Sequence, residues 1–312
     1  MSKNMFLFSG QGSQYVGMGK ELCKSCKEAD EVFELAGDII GADLKKIAFE
    51  GPEEELGKTI YSQPAIMACS LAAFEAAKSI GFDAVAGHSL GEYAAMAAAG
   101  MLSYKDAFFL IKYRAEAMQK CAESSEGVMY AIIGPTPDEV EAACEQTEGY
   151  IVPVNYNSPI QTVIAGESAA ADAAAELIKR TSTAKRVKAV KLGVASAFHS
   201  EIMRPAAEEF YEKAKTFTFS EPKCPIYSNL SGEVLDFSGA DIPKRLADHI
   251  VSPVKFTTEL NNAWNAGFDT FIELGPNKVL TGLVKKTLKD AQAYNIENKE
   301  TLEKTLAALG GI

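Results

Sequence analysis

The chain has 312 residues, 47% hydrophobic and 23% charged, the balance of a soluble globular protein long enough for two domains, or for one large domain with an insertion. A formal net charge of −11, from 31 Lys and Arg against 42 Asp and Glu, excludes a general nucleic-acid binder, which needs a dominant basic face. No apolar run reaches the ~20 residues that cross a bilayer, and Met1 to Lys3 leads only into Met5-Phe6-Leu7-Phe8, too short for a signal-peptide apolar region. A cytoplasmic protein with no membrane contact is expected.

In chain order, Phe6-Leu7-Phe8 is a short apolar strand running into the glycine-rich turn Gly10-Gln11-Gly12. Tyr61 to Lys78 reads as a helix entered through Gln63-Pro64, with Pro64 in its first turn. Asp83 to Ala86 is a second strand ended by Gly87, and Leu90 to Ala99 a small-residue helix. Ser103 and Asp106 form an S-x-x-D cap that starts another helix. From Gly127 to Lys191 the rhythm changes. Strands at Val128–Ile133, Tyr150–Asn155, Thr162–Ala165 and Arg186–Lys191 alternate with helices at Pro137–Gln146 and Ser168–Arg180. That βαββαβ order is the ferredoxin-like pattern, here a compact insertion in a larger α/β domain with parallel strands. The six cysteines are scattered. Only Cys23 and Cys26 have C-x-x-C spacing, with no second pair and no histidine nearby, so reduced thiols are expected rather than a disulfide framework or a metal site.

The strongest chemical signal is Ala86-Gly87-His88-Ser89-Leu90-Gly91-Glu92, a G-x-S-x-G set between strand and helix. Its glycines permit the sharp turn that exposes a serine hydroxyl above the sheet. The helix that follows brings free N–H groups and a positive dipole, suited to an oxyanion. A serine nucleophile needs a base, and the chain has three histidines. His88 adjoins the serine and should point elsewhere, as a buried support. His199, in Ala195-Ser196-Ala197-Phe198-His199-Ser200, follows the inserted unit and is the leading base; the third is His249. On the helix begun at Ser103 the apolar stripe is Ala107, Leu110, Ile111, Ala115 and Met118, and Arg114 falls within it. A guanidinium facing the core needs an anion. An internal ion pair, a stem that snorkels its charge to the surface and a fork for a substrate carboxylate are all compatible with the pattern. Gly10-Gln11-Gly12-Ser13-Gln14 has its third glycine misplaced for a dinucleotide loop and lacks Gly-Lys-Ser/Thr; one of its N–H groups could complete an oxyanion hole beside the elbow.

Taken in order, these segments resemble the malonyl-CoA:acyl-carrier-protein transacylases of fatty acid synthesis and the related acyltransferase domains of polyketide synthases. The resemblance rests on Phe8-Ser9-Gly10-Gln11-Gly12-Ser13-Gln14, Gln63-Pro64-Ala65, Gly87-His88-Ser89-Leu90-Gly91-Glu92-Tyr93 and Tyr113-Arg114. It continues through Asn155-Tyr156-Asn157-Ser158-Pro159, Phe198-His199, Ser252-Pro253-Val254 and Glu273-Leu274-Gly275-Pro276.

The resemblance implies an α/β-hydrolase-like large domain with a parallel sheet (1–126 and 192–312), an inserted ferredoxin-like small domain (127–191), and a site in the cleft between them. It implies Ser89 as nucleophile, His199 as base, the backbone N–H groups of Gln11 and Leu90 as oxyanion hole, and Arg114 as partner of a malonyl carboxylate. The backbone carbonyl of His249, four residues before Pro253, would orient His199. The family usually has Gln there, a change that a main-chain role survives. Phe198 would wall off the space of an α-methyl group, and His88 and Gln63 would support the site from behind. The implied reaction is two-step malonyl transfer from malonyl-CoA to the 4′-phosphopantetheine arm of acyl carrier protein, by a monomer that binds no metal or redox cofactor. A local basic patch would dock the acidic carrier: Lys179, Arg180, Lys185, Arg186, Lys188 and Lys191, or Lys285, Lys286 and Lys289. The rivals are a serine hydrolase such as a thioesterase, a polyketide-type acyltransferase, and a non-catalytic carrier-binding module.

Overall fold

The structure, a computed structural model, describes residues 3–310; Met1 and Ser2 lie outside the described residues. Five short strands form one sheet: β1 (Asn4–Phe8), β2 (Ala84–Gly87), β7 (Ile226–Tyr227), β8 (Thr270–Leu274) and β9 (Gln292–Ile296), in the order β7-β2-β1-β8-β9 and parallel throughout. Such a sheet is covered on both faces, which is why β1 is a near-continuous apolar run and every residue of β8 is buried, with no alternation between faces. Met5 and Leu7 face one core, with Phe256 and Phe271. Phe6 and Phe8 face the other, with Ile66 and Phe74. The chain leaves β1 to β2 on one side and returns to β8 on the other. β1 is therefore the switch point, where the carboxyl ends of open α/β sheets place their ligands.

The second sheet is antiparallel: β3 (Val128–Ile133), β4 (Ile151–Ser158), β5 (Gln161–Gly166) and β6 (Lys188–Lys191), in the order β4-β5-β3-β6. Its side chains alternate between two jobs. Ile132 and Ile164 pack on the helices Pro137–Gln146 and Ser168–Thr181, while Met129, Ala131, Val163 and Ala165 join the large core. β4 outruns the expected strand and continues to Ser158, because the turn narrows to Pro159-Ile160. Bulges at Pro153/Asn155 and Tyr156/Ser158 bend it. A bridge between Asn155 and Val254, with Val254 N–H donating to Val154 O at 2.8 Å, ties β4 to the segment that leads into the helix Phe256–Asn265.

The helix expected over Tyr61 to Lys78 runs from Thr59 to Ala76, so Pro64 lies inside it rather than in its first turn. The chain already turns at Lys58, whose carbonyl takes the N–H groups of Tyr61 and Ser62. Every residue from Ser62 to Glu75 is buried, so packing on all sides outweighs the bond that proline removes. Cys23 and Cys26 are free thiols at the end of the helix Lys20–Ser25. Among the described residues no helix is long and apolar enough to cross a membrane.

Candidate active site

β2 ends at Gly87, and the helix Gly91–Ala98 begins four residues later. So abrupt a reversal brings strand and helix into contact. A Cβ on Gly87 would lie 2.0 Å from the Gly91 carbonyl carbon, and one on Gly91 would lie 2.2 Å from the Phe8 carbonyl oxygen. Ser89 between them is held at φ 54°, a left-handed conformation costly for a residue with a side chain. Its neighbours fix it there. Ser89 N–H donates to Asn229 Oδ1 at 2.7 Å, and Asn229 Nδ2 donates to Gly87 O at 2.6 Å and Glu259 Oε1 at 2.8 Å.

Ser89 Oγ lies 2.7 Å from His199 Nε2. His199, itself at φ 62°, has Nδ1 2.9 Å from the His249 carbonyl oxygen. A carbonyl only accepts, so Nδ1 carries the hydrogen and Nε2 presents a lone pair to the serine hydroxyl. Burial, followed by the Arg114 charge, pushes His199 down to about 3, so the imidazole is neutral at pH 7.

Arg114 sits on the helix Tyr104–Glu123, started by the Ser103 hydroxyl accepting from Asp106 N–H. The Asp106 carboxylate bonds that same hydroxyl at 2.7 Å, so only half of the expected capping box forms. The guanidinium is 1% exposed. Nη1 donates to Gln63 Oε1 at 2.7 Å, Nη2 donates to Ser89 Oγ at 3.1 Å, and Tyr93 presents its ring 5.7 Å away. Nε has no partner, and among the described residues no carboxylate forms an ion pair with Arg114. Of the two anions left open by the sequence, the internal one is missing.

Gln63 orients Arg114 because its own Nε2 faces Met118 Sδ at 3.5 Å, leaving Oε1 for the guanidinium. The N–H groups of Gln11 and Leu90 donate no hydrogen bond among the described residues. His88 points away from the serine, with Nε2 2.8 Å from Asn157 Oδ1 and its ring against Phe256. Phe198, 5% exposed, closes one side of a recess of about 70 Å³ that Gln11, Ser89, Met118, Met129 and His199 also line. Outside it opens a cleft of about 420 Å³ between the sheets, bordered by Gly10, Gln11, His88, Gln161, Val194 and Leu283. A larger surface hollow of about 670 Å³, along Phe33 to Lys45, contains none of these side chains.

The structure thus brings Ser89, His199, Arg114, Gln11, Leu90, Phe198, Gln63 and the His249 carbonyl to one place. Asn229, Glu92 and Glu259 are buried beside them and were missed by sequence reasoning. Asn229 lies in Ser228-Asn229-Leu230-Ser231-Gly232, which reads as an ordinary turn. The lysines of both basic clusters are exposed at the surface.

Residues 5–305 match the family model described as an acyl transferase domain. Over 99% of its length the chain is 40% identical to a malonyl CoA-acyl carrier protein transacylase of Bacillus subtilis, covering 98% of that protein. It superposes on the crystal structure of the transacylase of the same name from Clostridium perfringens with a TM-score of 0.93, at 36% identity, covering 99% of this chain and 97% of that one. A malonyl-transacylase solved in complex with a type II PKS acyl-carrier protein gives a TM-score of 0.92 at 33% identity, covering 98% of this chain and 100% of that one.

Proposed function

The chain belongs to the acyl transferase family, among the malonyl CoA-acyl carrier protein transacylases, and on that premise we propose that it moves a malonyl group from malonyl-CoA to the phosphopantetheine thiol of an acyl carrier protein through malonyl-Ser89, supplying extender units for fatty acid synthesis. The observation that carries this reading is the setting of one hydroxyl, Ser89 Oγ, between the lone pair of His199 Nε2 at 2.7 Å and a buried guanidinium without a carboxylate at 3.1 Å.

His199 takes the hydroxyl proton as Oγ attacks the thioester carbon, and the oxyanion forms against the N–H groups of Gln11 and Leu90. The proton then passes to the departing coenzyme A thiolate, leaving malonyl-Ser89. The carrier thiol attacks by the reverse sequence. Arg114 accepts the malonyl carboxylate as a fork. In doing so it gives up its bond to Oγ and frees that lone pair for attack. A carboxylate on Arg114 also offsets the charge that depresses His199, so the base strengthens when the correct acyl group arrives. A thioester hydrolase of neutral acyl groups has no use for such a residue. The acid, base and oxyanion donors all come from the chain, and the coenzyme A thioester enters as substrate.

The strand order β4-β5-β3-β6, with one helix after β3 and one after β5, supports a ferredoxin-like unit over 127–191, inserted into an α/β-hydrolase-like domain of 1–126 and 192–312. We place the protein as a cytoplasmic monomer. Intact-mass measurement after mixing with malonyl-CoA tests the function: one malonyl group is gained on Ser89, none on Ser89→Ala, and added carrier protein discharges it. Steady release of coenzyme A without carrier, or an adduct on another residue, overturns the reading.

A further inference from the structure

The His249 carbonyl serves His199, but its side chain has a setting of its own. The imidazole is 1% exposed, and neither ring nitrogen has a hydrogen-bond partner among the described residues. Nδ1 stands 3.4 Å from Glu92 Oε2, on a side chain 4% exposed. The His249 ring centroid lies 5.2 Å from that of His199. Glu92 belongs to the helix Gly91–Ala98, which starts just after Ser89, and His249 to the end of the helix Ile242–Ile250. One buried carboxyl–imidazole couple therefore spans the helix that follows the nucleophile and the helix end that orients the base.

A buried imidazole with two idle nitrogens is costly, and a proton from either side closes the 3.4 Å gap into a hydrogen bond. We propose that Glu92 and His249 share that proton as a positioning pair, which fixes the His249 carbonyl on His199 Nδ1 and sets the pH dependence of acyl transfer. This rests on His199 being the base.

The groups around the pair are Arg245 on the His249 helix, Arg114, His199 and His88, together with Glu259 and the Ser228 hydroxyl and Asn229 N–H that face Glu92. Burial raises Glu92 to about 7, against Ser228 and Arg245. Burial, then His199 and Arg114, holds His249 well below its ordinary value. Glu92 is thus the member that titrates near neutrality, while the imidazole stays neutral. On the acid side the Glu92 O–H donates to Nδ1, and Nε2 carries the ring hydrogen. On the alkaline side that proton sits on Nδ1 and donates to the carboxylate, and the Nε2 hydrogen has left for solvent. One proton is lost overall, and the ring changes tautomer. His199, at about 3, does not contribute to that limb. The Gln usual at this position in the family cannot make the exchange.

The test is ¹⁵N-histidine NMR of the full-length protein, with His249→Gln assigning one of the three rings. Nδ1 and Nε2 of His249 should exchange protonated for unprotonated character in one transition near neutrality, and Glu92→Gln should abolish it. In parallel, kcat/KM for malonyl-CoA against pH should show a neutral limb in the wild type that Glu92→Gln and His249→Gln remove. A wild-type His249 ring with one fixed tautomer through the neutral range overturns the proposal, even where the variants fail to fold. So does a pH limb that survives Glu92→Gln. Malonylation of wild-type Ser89, read by mass, reports separately on the acyl-transfer reading: its absence overturns that reading, whatever the His249 ring does.

Discussion

A guanidinium buried beside a hydroxyl, with no carboxylate to answer it, makes Arg114 the most demanding residue of the site. Truncating one side of a buried charge pair costs about 3–5 kcal/mol, a hundredfold or more in kcat/KM. Arg114→Ala should therefore depress malonyl transfer by that factor and narrow the malonyl-to-acetyl ratio. Arg114→Lys should restore only part, because an ammonium cannot bond Gln63 and a carboxylate as a fork does. Competing malonyl-, methylmalonyl- and acetyl-CoA on the three proteins measures this; a wild type that uses acetyl-CoA as well as malonyl-CoA refutes the clamp. His199 is held to a different standard. His199→Ala should lower turnover by several orders of magnitude, as the loss of a base does in related constellations. His249→Gln keeps the carbonyl and loses the proton couple that steadies it, so it should lower the plateau rate far less than His199→Ala while removing the pH limb. Comparable losses of plateau rate in both would contradict the division between a ring that moves protons and a carbonyl that aims it.

At the scale of elements, the elbow depends on parts that come from far along the chain. Asn229→Ala leaves the Ser89 N–H, the Gly87 carbonyl and one Glu259 oxygen without their partner, and each unsatisfied buried group costs ~1–3 kcal/mol. A lower melting temperature and slower malonylation of Ser89 are expected together. A variant that melts lower yet malonylates at the wild-type rate shows that the brace serves the fold alone. This contrast marks what the sequence could disclose. The Gly87–Gly91 elbow is readable because steric demand writes itself as glycine at fixed spacing. Arg114 is readable because a charge breaks an apolar stripe of period 3.6. His199 is readable because histidine is scarce. Asn229, Glu92 and Glu259 leave no such mark: an asparagine in a turn looks the same whether it braces a nucleophile or caps a loop. Strand ends slipped for a related reason. Bulges carry β4 through Tyr156 and Asn157 to Ser158, and no periodicity records a bulge.

For the whole molecule, charge enters twice, at the surface and in the core. With a net charge of −11, an acidic carrier has to be met by a local patch. Lys286 lies at the cleft mouth, with Nζ donating to Gln161 at 3.1 Å, and Gln161 lines the outer cleft. Reversing Lys285 and Lys286, or Lys188 and Lys191, should raise the carrier's KM and flatten its salt dependence without changing malonylation of Ser89. Carrier kinetics unchanged in both double variants would move the docking face elsewhere.

The core supplies the last expectation. Glu259 is 0% exposed, and burial first, then Glu92, raises its pKa well above the ordinary 4.5. Between 4.5 and its folded value the native state therefore holds a proton that the unfolded chain has released. Stability then falls as pH rises, by about 1.4 kcal/mol per pH unit, until the folded value is passed. His199 works the other way: lowered from 6.5 to about 3, it makes stability rise with pH over that span. Burial lowers His88 and His249 likewise, so the histidine and carboxyl slopes oppose each other below pH 6.5. Glu259→Gln keeps an oxygen for Asn229 Nδ2 and removes the titration. Its stability relative to wild type should widen steadily as pH increases from 4.5, with the two proteins closest at the acid end. Urea unfolding at a series of pH values reads this directly. A difference that stays constant with pH would mean that Glu259 does not carry a proton in the folded core.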